Sequence, residues 1–167
     1  MVSKANIVTL ARIAFIPLFV IVLYIPSRYQ GWIAAVVFCA IASTDALDGW
    51  LARKHRQITR FGAVFDPLAD KLLVTAALIF LIGQGVETWM AYVIIAREFL
   101  VTGLRLVAEN VLHASWLGKL KTLSQMVGVV AVLIKFQYAW QLMLVATILT
   151  VLSGIDYFWR ARKVVNL

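Results

Sequence analysis

Cysteine is almost missing. Cys39 is the only one in 167 residues, which excludes a disulfide framework and any cysteine-built metal site. It lies inside an apolar run and reads as a small buried side chain. Histidine is nearly as scarce: His55 and His113 stand alone near polar breaks, without the partners a histidine metal site needs. Charge is thin and one-sided, with 14% charged residues and 16 basic against 8 acidic side chains, a formal +8. A basic excess can signal nucleic acid, but no polar domain is present to carry a basic face. Anionic lipid headgroups and phosphorylated substrates are the better partners.

What fills the chain instead is apolar. These residues make up 63% and the mean hydropathy is +0.90, against about 45–50% apolar in a soluble domain. A membrane crossing takes about 20 residues, so the length allows about six and leaves nothing for a separate catalytic domain. Apolar runs at Ala5–Ile25, Gly31–Ala52, Phe65–Ile82, Thr88–Ala108, Leu120–Lys135 and Ala139–Trp159 supply the six. The expectation is one all-α domain over residues 1–167, a polytopic integral membrane protein with six transmembrane helices. At the amino end Lys4 precedes an apolar stretch as in a signal peptide. But Arg12 interrupts it and no small-x-small cleavage site comes before Pro26, so it reads as a retained helix. The amino end, the 53–60 loop, the segment with Lys119 and Lys121, and the tail are all basic. The alternate loops hold only Arg28, Glu87 and Lys135. By the positive-inside rule both termini lie in the cytoplasm. Trp32, Trp50, Trp89, Trp140 and Trp159 fall near run ends, as interface anchors do.

Half of the eight acids sit together: Asp45, Asp48, Asp66 and Asp70 fall within 26 residues. A charge near a bilayer centre costs roughly 2.5–3.5 kcal/mol, so four carboxylates there require a polar cavity at the cytoplasmic helix ends. Asp45 and Asp48 are three apart and Asp66 and Asp70 four apart, so each pair shares a helix face. Four carboxylates in one cleft repel, and divalent cations remove the conflict. Oxygen-only ligation favours Mg²⁺ or Mn²⁺, and four carboxylates can hold two ions. Gly49 and Ala52 continue the stripe, Gly62 precedes Asp66 by four, and Arg53 offers a forked donor for phosphate. Taken singly, Asp66-Pro67 reads as a helix cap, Asp48-Gly49 as a turn and Asp70-Lys71 as a surface ion pair. All four acids together read as a diphosphate site.

Written out, the segment is Asp45-x2-Asp48-Gly49-x2-Ala52-Arg53-x8-Gly62-x3-Asp66-x3-Asp70, eight fixed positions at fixed spacing. It resembles, without a departure, the pattern of the CDP-alcohol phosphotransferases. Softer likenesses run along nearly the whole chain: residues 5–12, 65–71, Ala96-Arg97-Glu98, Gly118-Lys119-Leu120-Lys121-Thr122 and Ser153-Gly154-Ile155-Asp156-Tyr157-Phe158. Within the family these suggest the branch whose acceptor is glycerol 3-phosphate. The resemblance implies a homodimer of six-helix chains in the bacterial cytoplasmic membrane, with the active site open to the cytoplasm. It also implies metal-dependent transfer of a phosphatidyl group from CDP-diacylglycerol to the acceptor, giving phosphatidylglycerophosphate and CMP. Asp45, Asp48, Asp66 and Asp70 would be metal ligands, Asp70 also the general base, and Gly49, Ala52, Arg53 and Gly62 the nucleotide contacts.

The acceptor carries its own phosphate and calls for a second cationic site. Arg97 and Arg105 are eight apart, two turns of one helix, and Lys119 and Lys121 begin the next run. Arg105 is the stronger candidate. Arg97 can instead pair with a nearby acid, such as Glu98 on a neighbouring helix, and the two lysines can instead anchor topology. Asp156 and Arg160, four apart, read as a salt bridge. Asn6, Thr9 and Arg12, three apart on the first run, can border the nucleotide pocket or cap that helix. Other acceptors (serine, inositol phosphate, phosphatidylglycerol) are the alternatives within the family. Outside it stand membrane prenyltransferases, which lack the Gly49, Ala52, Arg53 and Gly62 framework, and a cation transporter, whose acids would spread through the membrane depth.

Overall fold

A computed structural model describes the backbone at residues 4–55, 71–107 and 116–165, and side chains at 13–44, 71–104, 116–160 and 162. The described residues form six helices: α1 Lys4–Tyr24, α2 Gln30–His55, α3 Lys71–Phe80, α4 Thr88–Val107, α5 Trp116–Leu133 and α6 Ala139–Val165. The all-α expectation holds for them, and Thr88 and Ala139 begin helices at the expected residues. Contacts divide the chain into two compact units, Met1–Phe80 and Leu81–Leu167.

The expected six transmembrane helices are corrected. Among the described residues one segment, Ala139–Arg160, is long and apolar enough to cross a bilayer. Among the described residues Ile13–Tyr24, Gln30–Thr44 and Lys71–Phe80 are apolar stretches of 10–17 residues. Charge limits the others: Arg97 and Glu98 sit in the middle of α4, and Lys119 and Lys121 in the first half of α5. Counting apolar runs passed over these interruptions.

In the first unit α1 stops before Pro26, where the residue preceding proline is driven out of helical geometry. The Gln30 side-chain amide donates to the Leu23 carbonyl, satisfying one of the orphan acceptors at the end of α1. The chain then reverses so that α1 packs on α2. On α2 the buried stripe is Ala34, Ala35, Phe38 and Ile41, and Phe38 meets Phe19 of α1 with ring centroids 5.7 Å apart. Both rings are fully buried, each contributing roughly 1.5–3 kcal/mol of apolar stabilisation. Cys39 is exposed, against the buried reading: one residue past Phe38, it is turned about 100° away from the packed stripe. The helix also runs past Ala52 to His55, through residues expected to begin a loop.

The second unit opens with a tight turn at 81–87. Gly83 and Gly85 have φ of 78° and 129°, which L side chains rarely adopt. A Cβ on Gly85 would also lie 3.1 Å from Val132 Cγ1, which brings this turn against the end of α5. At that same end Lys135 takes φ 54°, and the Phe136 N–H donates to the Ala131 carbonyl at 2.8 Å. This left-handed cap turns the chain back into α6. The start of α4, the end of α5 and the start of α6 therefore share one end of the unit, and α5 runs antiparallel to its neighbours. Close packing of α5 on α6 depends on Gly128, where a Cβ would meet Met143 Sδ at 2.6 Å.

Candidate functional site

Each helix of the second unit buries one stripe, and each stripe changes character along its length. On α4 it runs Met90, Ile94, then Glu98. On α6 it runs Met143, Ala146, then Thr150, Ser153 and Tyr157. On α5, pointing the other way, it runs Lys121, Gln125, then Gly128, Val129 and Val132. Because α5 is antiparallel, the three apolar halves meet near the turns and the three polar halves meet at the other end.

There they form one connected network. Glu98 is 6% exposed and Lys121 4%, and the Lys121 ammonium donates to Glu98 Oε1. The same oxygen accepts from Gln125 Nε2 at 3.4 Å and lies 3.7 Å from Arg97 Nη1. Gln125 Nε2 also donates to Thr150 Oγ1 at 2.9 Å, and the Thr150 hydroxyl donates to the Ala146 carbonyl at 2.6 Å. Arg97 Nη2 donates to Ser153 Oγ at 2.7 Å, and its guanidinium carbon stands 5.5 Å from the centre of the Tyr157 ring, within cation–π range. Gly154 leaves room for that arginine, since a Cβ there would lie 3.2 Å from Arg97 Cγ. Buried charge this well partnered is tolerated, whereas removing one member of such a pair costs about 3–5 kcal/mol.

The network draws together three stretches singled out in the sequence: 96–98, 118–122 and 153–158. Arg97 meets Glu98 as in the pairing alternative, but as its immediate neighbour on α4 and not from a neighbouring helix, and it also reaches α6. Lys121 is buried while Lys119 is exposed, so the two lysines part to different sides of α5. Asp156 and Arg160 form the expected salt bridge, Nε to Oδ1 at 2.9 Å. Gln125, Thr150, Ser153 and Tyr157 received no role from sequence. The available signal was spacing: Gln125 follows Lys121 by one turn, and Thr150, Ser153 and Tyr157 repeat at i, i+3, i+7.

The backbone of α2 carries Asp45, Asp48, Gly49, Ala52 and Arg53 on one unbroken helix, and the spacing i, i+3, i+4, i+7, i+8 is a single stripe. Their side chains lie outside the described ones, as do those of Asn6 and Thr9 on α1 and Arg105 on α4. Gly62, Asp66, Asp70 and His113 lie outside the described residues altogether. Among the described residues no three His, Cys, Asp or Glu side chains come together.

Comparison with known proteins bears on the whole chain. The profile of the CDP-alcohol phosphatidyltransferase family matches residues 2–152. The chain belongs to this family. A CDP-diacylglycerol–glycerol-3-phosphate 3-phosphatidyltransferase of Bacillus subtilis (strain 168) is 41% identical, over 99% of this chain and all of that protein. The protein of the same name from Escherichia coli (strain K12) is 40% identical over 94% of this chain and 93% of its own length. That from Salmonella paratyphi A is 39% identical over the same shares. The aspartate segment and most of the buried network fall inside the family match. Ser153 and Tyr157 fall just beyond it.

Proposed function

We propose that this protein catalyses the reaction its relatives are named for, transferring a phosphatidyl group from CDP-diacylglycerol to glycerol 3-phosphate. Near-complete coverage at 41% identity carries this reading. The products are phosphatidylglycerophosphate and CMP. A donor with two acyl chains is confined to a bilayer, so the enzyme works at a bacterial membrane. Basic residues near both ends support a cytoplasmic face for the termini and the site.

In this reading Asp45, Asp48, Asp66 and Asp70 hold divalent metal, Mg²⁺ or Mn²⁺, as two ions. The donor set fits: all four ligands are hard oxygens, and Asp45 and Asp48 sit on one stripe of α2. Metal held by these aspartates would supply charge neutralisation for the diphosphate as CMP departs. Asp70 takes the proton from the acceptor hydroxyl, which attacks the phosphorus bearing the diacylglycerol, and the bond to CMP breaks. Gly49, Ala52, Arg53 and Gly62, with Asn6 and Thr9, bind the nucleotide, the small residues admitting it close to the backbone. Arg105, Arg97, Lys119 and Lys121 serve the acceptor phosphate, and the working unit is a homodimer.

The test is direct. Purified protein in mixed micelles with CDP-diacylglycerol, glycerol 3-phosphate and Mg²⁺ should release CMP. Release with serine, inositol phosphate or phosphatidylglycerol, and none with glycerol 3-phosphate, would move the chain to another branch of the family. Crosslinking in the same micelles should give a dimer.

A further inference from the structure

Glu98 is the one buried acid among the described residues, and it is not one of the four motif aspartates. Its Oε1 is the point at which the network converges, meeting Lys121 and Gln125 from α5 and Arg97 from its own helix. That oxygen is fixed from a third helix, because Gln125 is itself held by Thr150 of α6. A lysine stem is flexible and loses rotamer entropy when fixed. A carboxylate held this firmly sets the ammonium in place before any ligand arrives. An ammonium carries three N–H donors, so it can hold a carboxylate oxygen and still donate to a second anion. As a device for stability alone the pair is poor: well-packed apolar side chains of similar volume do as well or better than a buried ion pair. What the pair provides beyond stability is a cation at a fixed position.

We infer that Glu98 is a positioning residue for the acceptor substrate, acting through Lys121 to fix the ammonium that meets the phosphate of glycerol 3-phosphate. This favours acceptors carrying a phosphate over uncharged alcohols. The inference rests on the reading of Lys121 as a phosphate contact. The experiment therefore compares the full-length enzyme with Glu98→Gln, Lys121→Met and the double variant in mixed micelles. It measures KM for each substrate and the melting temperature. Each single variant should raise KM for glycerol 3-phosphate about tenfold, with KM for CDP-diacylglycerol moving less than about twofold. The double variant should be no worse than Lys121→Met alone, because both changes remove one interaction. If Lys121→Met raises the acceptor KM and Glu98→Gln does not, the positioning role is wrong and the phosphate contact stands. If Lys121→Met leaves that KM unchanged, the phosphate contact fails and takes this inference with it. Loss of melting temperature with both KM values and kcat worsening together overturns the inference in favour of a purely structural pair. Should either variant fail to fold, Glu98→Asp and Lys121→Arg keep the charge and shift its position, and are held to the same selective rise in acceptor KM.

Discussion

On α2 the stripe that begins with Ala34, Phe38 and Ile41 runs on, at helical spacing, into positions 45, 48 and 52. On α4 the stripe that begins with Met90 and Ile94 runs on into Glu98. Both start apolar and end in acid, yet the two regions stand differently toward their charge. In the second unit the acid meets an ammonium and an amide from α5 and a guanidinium from its own helix, so its burial is balanced from within. In the first, the motif adds acid to acid, and in the proposed function those like charges are balanced by bound divalent metal. A buried charge with its own partners shapes and positions. A cluster of one sign waits for a ligand of the other.

The largest effect expected concerns the like-charged cluster. Asp70→Asn should lower CMP release by roughly 10²–10⁴-fold, the range for loss of a general base, measured with labelled CDP-diacylglycerol. Chelation of divalent metal should abolish release and added Mg²⁺ restore it; activity persisting in chelator would remove the contrast between the two regions.

Next come changes to the self-compensated region. Glu98→Ala removes the carboxylate that buried Lys121 donates to and should destabilise the protein by about 3–5 kcal/mol, read from denaturation in detergent. Replacing both partners, Glu98→Leu with Lys121→Met, should recover most of that loss. A double variant as unstable as the single would mean that the ion pair itself supplies stability. Gly128→Ala, which drives a Cβ into fully buried Met143, should cost about 1–3 kcal/mol by overpacking. Combining it with Met143→Ala should remove the clash. The smallest effect belongs to Arg160→Ala. Its pair with Asp156 is solvent-facing, with side chains 53% and 23% exposed, and such i,i+4 pairs are worth about 0.3–0.5 kcal/mol.

Local periodicity made much of this readable in advance. The starts of α4 and α6, the reversal after Pro26 and the Asp156–Arg160 pair each depend on residues within a turn of one another. The stretch from Asp45 to Arg53 was equally legible as a helical stripe, because fixed spacing on a helix makes one without reference to anything else. The six crossings failed on the same ground: a run such as 88–108 is apolar on average, and the average hides Arg97 and Glu98 at its middle. Cys39 was misread because its apolar neighbours were taken as its surroundings, when the packed stripe passes through Phe38 instead. The Glu98–Gln125–Thr150 connection spans three helices, with separations of 27 and 25 residues. Only the antiparallel course of α5, set by the left-handed cap at Lys135, brings those residues to one level.

The unbroken course of α2 from Gln30 to His55 has a mechanical meaning. From the ring contact at Phe38 to Asp48 is ten residues of one rod, about 15 Å of lever arm. A tilt of about 4° at that fulcrum swings position 48 by roughly 1 Å, and a misplacement of that size can cost about a hundredfold in rate. If Asp48 holds metal as proposed, the Phe19–Phe38 contact would steady chemistry it never touches, and slack there would be read out at the far end of the helix.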